Sequence, residues 1–251
     1  MDLSVNLNKI ALLRNSRGSN SPSLEAYANQ AIALGIQGIT LHPRPDHRHA
    51  TSQDALSIAA LCKGHSLEFN LEGNPFSCAK NSFMGFLEIC SEAQAEQVTL
   101  VPDTEGQVTS DSGWPLDYRS KELQSFLRSG ELRKSRTSLF IDPDIKSLEY
   151  AAKMEFDRVE IYTGPFALAC RQNNPQAIES ECMSIRAVIK RARELGVGVN
   201  AGHDLNLDNI PILKKCGLVD EVSIGHAIIT DALKYGFEDT IIQYLRITRE
   251  I

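Results

Sequence analysis

The stretch SLFIDPDIKSLEYAAKMEFDRVEIY (residues 138–162) contains the unit from which the fold follows. Two short apolar runs, SLFID and RVEIY, flank SLEYAAKMEF, in which apolar residues return at three- and four-residue intervals. Two strands joined through a helix pair in parallel, because parallel strands need a crossover, and the crossover is nearly always right-handed. This stretch therefore predicts one β/α unit of a parallel sheet.

The same unit recurs along the whole chain. The strand-like runs are LSVNL, GITLH, LEFNLE, QVTLV, SLFID, RVEIY, VGVNAG and EVSIG, with helix-period segments such as SQDALSIAALCKG between them. Eight units without a break in composition predict a (β/α)₈ TIM barrel that spans residues 1–251 as a single domain. The alternative is an open, doubly wound sheet, but no G-x-G-x-x-G opens a helix after the first strand.

Composition limits the partners and the location of the protein. A net charge of −6 disfavours a general nucleic-acid binder, although a local cationic pocket remains compatible with it. Membrane binding is not expected either, since no apolar run approaches the roughly 20 residues of a spanning helix. The six scattered cysteines form no C-x-x-C pair, so we expect reduced thiols and a cytoplasmic protein.

Two connections are longer than a minimal β/α unit requires. Residues 103–124 form a polar, Gly- and Ser-containing segment after the fourth strand, and residues 163–180 lengthen the connection after the sixth. Long loops in compact domains usually cover or bind a ligand. Both segments are therefore predicted to lie near a functional site.

Polar side chains gather where the predicted strands end. In a TIM barrel the carboxyl ends of the strands form the catalytic face, and an unpaired polar group buried there costs on the order of 1–3 kcal/mol. A polar, ligand-binding mouth is therefore predicted. The strand-end residues are Asn6, Asn8, His42, Arg44, Asn70, Glu72, Asp142, Glu160, Asn200, His203, Ser223, Gly225 and His226.

Each of these residues also has a structural interpretation. A single strand-end histidine is often only hydrogen-bonded, but His42, His203 and His226 end three different strands, which separate structural roles explain poorly. Glu72 and Glu160 are candidate bases, or alternatively ion-pair partners of nearby arginines. Imidazoles and buried carboxyls have pKa values that suit proton transfer near neutral pH.

Cationic side chains and glycine turns predict anion binding at the same mouth. Arg17 lies in a Gly/Ser/Asn-rich loop after the first strand, and Arg44 and His49 follow the second. Arginine grips phosphate and carboxylate bidentately, and the Gly225–His226 turn offers backbone N–H groups at a helix start. Histidines with Glu72 and Glu160 are an alternative metal site, but no H-x-H or H-E-x-x-H pattern occurs on a strand. We predict no metal and no cofactor.

Seven motifs together resemble the pyridoxine 5'-phosphate synthase family of vitamin B6 biosynthesis. They are VNLNKIALLRNSRG, GITLHPRPDHRH, FNLEGNP, QVTLVPD, VEIYTG, VNAGHDLN and SIGHAIITDAL, and they cover nearly the whole chain. The resemblance implies a TIM barrel with extra helices in the connections, assembled as a homo-oligomer from dimer to octamer. It also implies condensation of 3-amino-2-oxopropyl phosphate with 1-deoxy-D-xylulose 5-phosphate, with release of phosphate and water.

The resemblance also implies roles for individual residues. His42 and Glu72 match proton acceptors of the family, His203 matches its proton donor, and Glu160 matches a carboxylate that assists proton transfer. The residues matching contacts to the two phosphorylated substrates are Asn6, Asn8, Lys9, Arg17, Arg44, His49, Thr109, Asp204, Gly225 and His226. The chain departs from many members at Asn8 and Lys9, where they have Asp-His, and at Asp204, where they have Gly.

Two other functions stay open at this point. One is a different phosphosugar enzyme on the same barrel, an isomerase, an epimerase or an aldolase. An aldolase needs a lysine for a Schiff base, and Lys9 fits a phosphate contact better. The other is a barrel that binds phosphorylated metabolites without turnover, although simple retention needs cations and not Glu72.

Overall fold

The computed structural model describes residues 1–104 and 106–249 of the chain. Eight parallel strands close into a barrel in the order β1 to β8, each paired with its neighbours in sequence and β8 paired with β1. The TIM barrel prediction is confirmed, and closure of the sheet excludes the open doubly wound alternative. The strands are β1 (Asp2–Asn6), β2 (Gly38–Leu41), β3 (Glu68–Gly73), β4 (Gln97–Leu100), β5 (Arg136–Ile141), β6 (Arg158–Tyr162), β7 (Gly198–Gly202) and β8 (Glu221–Ile224).

Helices occupy the connections between the strands and pack around the barrel. In the described part of the chain they are α1 (Asn8–Asn15), α2 (Leu24–Ala33), α3 (Ser52–Gly64), α4 (Phe86–Ala93), α5 (Ser120–Leu127), α6 (Ile145–Lys153), α7 (Gly164–Arg171), α8 (Pro175–Leu195), α9 (Ile210–Cys216), α10 (His226–Tyr235) and α11 (Phe237–Arg249). A 3₁₀ turn, Gly130–Leu132, follows α5. None of the described helices is long and apolar enough to cross a bilayer.

The hydrophobic core lies between the strands and the helices. Successive strand residues point to opposite faces, so the apolar member of each pair faces the helices and the other faces the barrel interior. On β6, Val159 and Ile161 are completely buried in this core, whereas Glu160 between them lies inward. Each such apolar side chain contributes roughly 1.5–3 kcal/mol through burial.

The barrel interior is polar, and its side chains satisfy one another across neighbouring strands. Ser4 Oγ lies 2.7 Å from Thr40 Oγ1, and Asn70 donates to Thr40 over 3.3 Å. Thr99 Oγ1 in turn donates to Asn70 Oδ1 over 2.9 Å. A strand pattern with polar residues inside leaves the carboxyl end of the barrel free to present charged and hydrogen-bonding groups.

Capping residues position the connections that follow β1 and β2. Thr51 and Asp54 form a capping box at the start of α3, and Arg14 of α1 donates to both carboxylate oxygens of Asp54 over 2.6 and 2.8 Å. Bidentate arginine–carboxylate pairs fix orientation as well as distance. Arg14 therefore joins α1 to α3 and keeps both helices beside the barrel mouth.

Residues 101–104 and 106–119 are irregular and lie between β4 and α5; we call them the β4–α5 loop. Its second half is anchored on β5, because Gly113 N donates to Asp142 Oδ1 over 3.0 Å and Trp114 N donates to Phe140 O over 2.8 Å. Only glycine fits at position 113, where a Cβ atom would clash with the backbone of Ile141 and Asp142. The predicted long loop is thus present, but residues 120–124 of the predicted segment belong to α5.

The expectation of a long loop at residues 163–180 is wrong, because most of this segment is helical. Gly164–Arg171 forms α7, and α8 begins at Pro175. The Asn side chain of residue 174 accepts from Ala177 N over 3.2 Å, and proline occupies the first turn of both helices. Asn and Pro are turn residues, but the same pair also begins a helix.

The expectation that all six cysteines are free thiols is also wrong. Cys182 of α8 and Cys216 of α9 form a disulfide, with their Cα atoms 4.9 Å apart. Cys62, Cys78, Cys90 and Cys170 are free. The two paired residues are 34 positions apart in sequence, and only the packing of α8 against α9 brings them together.

Candidate active site

A cavity of about 490 Å³ opens at the carboxyl ends of the strands. It gathers thirteen of the fourteen residues predicted for the site, drawn from β1, β2, β3, β6, β7 and β8 and the connections that follow them, and from the β4–α5 loop. The predicted residues that line it are Asn6, Asn8, Lys9, His42, Arg44, His49, Glu72, Thr109, Glu160, His203, Asp204, Gly225 and His226. The strand-end pattern therefore located a single cavity.

Arg17 is the predicted site residue that does not line this cavity. It follows α1 on the exposed side of the loop before α2. Its proposed contact with a substrate phosphate stays a prediction, carried by the family resemblance.

His42 and Glu72 lie side by side at the ends of β2 and β3. Nδ1 of His42 is 4.0 Å from Oε2 of Glu72, and the two side chains are only 7% and 12% exposed. Nε2 of the same imidazole is 4.0 Å from Oδ2 of Asp103. The His42 ring is therefore flanked by two carboxyl groups, one at each nitrogen.

Two asparagines of the first connection hold the backbone of this region. Asn8 Oδ1 accepts from the backbone N of His42 over 3.0 Å, and Asn6 Oδ1 accepts from the backbone N of Asn8 over 3.0 Å. These bonds join the end of β1 to the end of β2. They fix the position from which the imidazole of His42 enters the cavity.

Burial shifts the pKa values of His42 and Glu72 in opposite directions. Burial, reinforced by the charge of Arg44, lowers the pKa of His42 well below its usual value. Burial, reinforced by Glu160 and Asp103, raises the pKa of Glu72 well above its usual value. These shifts favour the neutral imidazole, which can accept a proton, and the protonated carboxyl group, which can donate one.

Glu160 lies inside the barrel and is 4% exposed. Burial raises its pKa to about 7. The neighbouring strand leaves room for its side chain only because residue 202 is glycine, where a Cβ atom would clash with Oε1 of Glu160. A carboxyl group with a pKa near the working pH can both accept and return a proton.

His203 follows β7 in a left-handed backbone conformation, with φ +81°. Its ring packs edge-on and tilted against Tyr162 and Phe140, each with ring centroids 5.4 Å away. Its carbonyl lies 2.6 Å from the hydroxyl of Thr163, which also lies 2.5 Å from the Gly202 carbonyl. Burial lowers the pKa of His203, which favours the neutral imidazole.

An anion-binding turn lies on β8 and the helix that follows it. Helix α10 begins at His226, and Gly225 before it provides no side-chain cap. The first N–H groups of a helix have no partner within the helix and attract anions. Gly225 lies close to Asn6, because a Cβ atom there would be 3.1 Å from the Asn6 amide.

Arg44 and His49 contribute the second group of polar contacts. The guanidinium of Arg44 donates through Nη1 to the carbonyl of Gln107 over 3.1 Å and through Nη2 to the carboxylate of Asp103. Burial, reinforced by Arg44 and Lys9, lowers the pKa of His49 to about 3. His49 is therefore a neutral hydrogen-bonding group beside a permanent cation.

Sequence reasoning missed Asp103 and Ser110. Both are buried, and Ser110 Oγ donates to Asp103 Oδ2 over 2.7 Å. The alternation that located the other strand ends also applies here, because Thr99, Val101 and Asp103 are two apart at the end of β4. From the sequence, residues 103–124 after the fourth strand are predicted to be a loop, and Asp103 is therefore not among the predicted strand-end residues. Within residues 1–104 and 106–249, no three or more His, Cys, Asp or Glu residues are placed to hold a metal ion.

A closed parallel barrel with acids, imidazoles and cations around one cavity at its carboxyl end defines a class: a TIM-barrel enzyme for small anionic metabolites. The family described as "Pyridoxal phosphate biosynthesis protein PdxJ" matches residues 3–250 of the chain. The chain therefore belongs to the PdxJ family and is an enzyme of pyridoxal phosphate biosynthesis.

Individual relatives agree with this assignment. A pyridoxine 5'-phosphate synthase of Xanthomonas oryzae pv. oryzae is 43% identical over 250 residues, which are 99% of this chain and 97% of that protein. One of Christiangramia forsetii is 43% identical over 254 residues, covering 98% and 99%. The thiamine phosphate pyrophosphorylase of Pyrococcus furiosus has the same fold, with a TM-score of 0.62, 13% identity and coverage of 98% and 95%.

Proposed function

We propose that this enzyme condenses 3-amino-2-oxopropyl phosphate with 1-deoxy-D-xylulose 5-phosphate, forming pyridoxine 5'-phosphate and releasing phosphate and water. The observation that carries the proposal is the meeting of His42, Glu72, Glu160 and His203 in one cavity. Its volume of about 490 Å³ lies in the usual range of small-molecule sites, about 300–1,000 Å³. Joining an amine to a ketone and closing a ring requires repeated proton removal and return, which this set of groups supplies.

The pKa shifts of His42, Glu72 and Glu160 support an assignment of the first proton transfers. The neutral imidazole of His42 removes a proton from carbon or hydroxyl, and the protonated Glu72 donates to the carbinolamine oxygen that leaves as water. Glu160, with its pKa near 7, returns protons between steps. Glu72 first donates its proton. The carboxylate that remains is then the proton acceptor that the family resemblance implies.

His203 becomes a proton donor only after substrate has bound. Its pKa is lowered in the empty cavity by burial. Two phosphate groups bring negative charge close to the ring, and a nearby opposite charge raises the pKa of an imidazole. The bound substrates therefore charge His203 at the stage when a leaving oxygen needs a proton.

Two anion subsites hold the reactants against each other. The pentulose phosphate contacts Lys9, Arg44, His49 and Thr109, with Asn8 beside them. The aminoketone phosphate contacts Asn6, Arg17, Gly225 and His226. Holding both phosphates converts a two-substrate reaction into an effectively intramolecular one, worth as much as about 7–11 kcal/mol of the barrier. The β4–α5 loop covers the cavity and excludes the water that would hydrolyse an imine.

The test supplies both substrates and follows the absorbance of pyridoxine 5'-phosphate. Product from the pair, with none from either substrate alone, is the expected result. Conversion of the pentulose phosphate alone would favour the isomerase, epimerase or aldolase alternative. Binding of both substrates without any conversion would favour a non-catalytic barrel, and either result refutes the proposed reaction.

The proposal also covers the cellular location and the oligomeric state of the protein. We expect a cytoplasmic homo-oligomer, from dimer to octamer, with no nucleic-acid or membrane partner and no cofactor. Sedimentation velocity of the purified protein measures the assembly directly. A monomer at micromolar concentration would contradict it.

A further inference from the structure

The first half of the β4–α5 loop is attached to the connection after β2 by two arginines. Arg44 donates to the carbonyl of Gln107 over 3.1 Å, and Arg48 donates to the carbonyl of Val108 over 3.0 Å. Both arginines also line the cavity. The loop segment over the cavity is therefore held by side chains that face the substrate.

Asp103 joins these contacts at one buried point. Its carboxylate accepts from Nη2 of Arg44 and from Oγ of Ser110, the latter over 2.7 Å. Oδ2 also lies 4.0 Å from Nε2 of His42. One carboxylate thus contacts the cationic side chain, the covering loop and the surroundings of the catalytic imidazole.

The Arg44–Asp103 ion pair contains one donor and one acceptor atom that are not hydrogen-bonded to any described residue. Arg44 and Asp103 are 6% and 7% exposed, yet Nε of Arg44 and Oδ1 of Asp103 have no hydrogen-bond partner among residues 1–104 and 106–249. The guanidinium is planar and rigid, so fixing its two terminal nitrogens also fixes the direction of Nε–H. Arg44 lines the cavity, and each terminal nitrogen carries a second N–H besides the one donated to Gln107 or Asp103, from which a ligand oxygen can accept.

We propose that Asp103 is a positioning residue that aims the guanidinium of Arg44 at the phosphate of the pentulose substrate. Through Ser110 it also holds the loop closed, so that binding of this phosphate and closure of the loop depend on one carboxylate. The inference rests on the proposed function, since it names the residue that prepares one of its two anion subsites.

Other acids of the region do not have this arrangement. Asp46 pairs with Arg48 on the rim of the cavity, where its side chain is 31% exposed. Asp111 lies on the exposed part of the same loop and accepts from Nε2 of Gln107 over 2.6 Å. Asp111 therefore offers a matched control, an acid of the same loop whose carboxylate, among the described residues, accepts a hydrogen bond from neither the Arg44 nor the Ser110 side chain.

The experiment compares Asp103→Asn and Ser110→Ala with the control Asp111→Asn. Calorimetric titration with 1-deoxy-D-xylulose 5-phosphate alone gives Kd, and steady-state kinetics with both substrates give the two KM values. We expect Asp103→Asn to weaken binding of the pentulose phosphate at least about tenfold, because a charge-assisted hydrogen bond is lost. In Asp103→Asn the KM for the aminoketone phosphate should stay within about twofold of the parent value. In the control Asp111→Asn the KM values for both substrates should stay within about twofold.

The second variant separates the two parts of the proposal. Ser110→Ala keeps the Asp103–Arg44 pair and loosens only the loop, so we expect the same selective loss of pentulose phosphate binding at about threefold. If Asp103→Asn does not fold, a selective loss of pentulose phosphate binding in Ser110→Ala still tests the proposal. Equal losses for both substrates, or values for Asp103→Asn like those of the control, would overturn the proposal.

Failure of the proposed function has a different signature. Tight binding of the pentulose phosphate by the parent enzyme without formation of product would refute the reaction, while the Kd comparison would still decide the role of Asp103. Absence of pentulose phosphate binding by the parent enzyme would overturn both.

Discussion

The imidazole of His42 faces the carboxyl group of Glu72 across the junction of β2 and β3, with Nδ1 4.0 Å from Oε2. Neither group is exposed enough for water to stabilise its charged form, so burial makes the imidazole a weaker proton acceptor and the carboxyl a weaker acid than in solution. Both shifts therefore favour the neutral form of the group. A base and an acid held side by side in this way can act on one substrate without a change of position.

Removing either member of this pair should abolish most of the activity. We expect His42→Asn and Glu72→Gln each to lower kcat about 10²–10⁴-fold with small effects on KM, because proton transfer is lost and the anion contacts remain. Glu72→Gln keeps the size of the side chain, whereas His42→Asn replaces the imidazole with a smaller polar amide. Steady-state assays of ring formation with both substrates measure the effect.

The double variant His42→Asn/Glu72→Gln tests whether the two groups act in the same step. Residues that act as a unit are not additive, so the double variant should be about as slow as the slower single variant. Multiplied losses would assign the two residues to separate steps. Unchanged turnover in His42→Asn would remove it from the mechanism.

Glu160 should make the protein less stable as the pH rises. Its folded pKa of about 7 lies above the ordinary value of 4.5, so its contribution to stability is complete below pH 4.5 and is lost as the pH rises through 7. A rise of about 2.5 in pKa corresponds to roughly 3 kcal/mol in the free energy of unfolding. Glu160→Gln removes this dependence and should be the more stable protein at pH 8.

Thermal unfolding of the parent protein and of Glu160→Gln between pH 4 and pH 8 isolates this effect. The other buried carboxyl groups are common to both proteins, so the difference between the two curves reports mainly on residue 160. Parallel curves over the whole range would mean that Glu160 titrates as an ordinary carboxyl group.

Gly202 should be irreplaceable because of Glu160 and not because of its own backbone. A Cβ atom at residue 202 would displace Oε1 of Glu160, so Gly202→Ala should cost about 1–3 kcal/mol of stability. A displaced catalytic group also lowers kcat, as much as about 100-fold for a shift of 1 Å. Gly64→Ala is the control, since no atom lies within 4 Å of a Cβ atom there. Equal behaviour of the two variants would refute the explanation.

Asp204 should weaken phosphate binding at the mouth of the cavity. It lines the cavity next to His203, and its φ of +57° is one that glycine and asparagine adopt readily. Asp204→Asn keeps the shape and removes the negative charge, so KM for the phosphorylated substrates should fall about three- to tenfold. Asp204→Gly should give the same result. A higher KM in both variants would instead show that the carboxylate binds the substrate, for example its amino group.

Several features followed from the sequence because they depend on neighbouring residues. The period of two in each strand fixes which side chains face the helices and which face the interior, as Val159, Glu160 and Ile161 illustrate. The alternation of such strands with helices then leads to the barrel, and the direction of the strands places His42, Glu72 and His203 at the same end. All three line the cavity, as predicted.

Other features depended on contacts between distant parts of the chain. Asp103 reaches Arg44 across 59 residues, and Cys182 reaches Cys216 across 34. Residues 163–180 contain turn residues that suggest a loop, but packing selects the helices that these residues also begin. Local patterns carry no information about which of several compatible partners will be brought close.

The sequence alone determined the chemical types at the mouth of the barrel, since strand periodicity and chain direction are local and steric. Only the tertiary structure decided their protonation and their pairing. The pKa of Glu160 rises to about 7 because closure of eight strands removes its carboxyl group from water, and no neighbour in the sequence could indicate that.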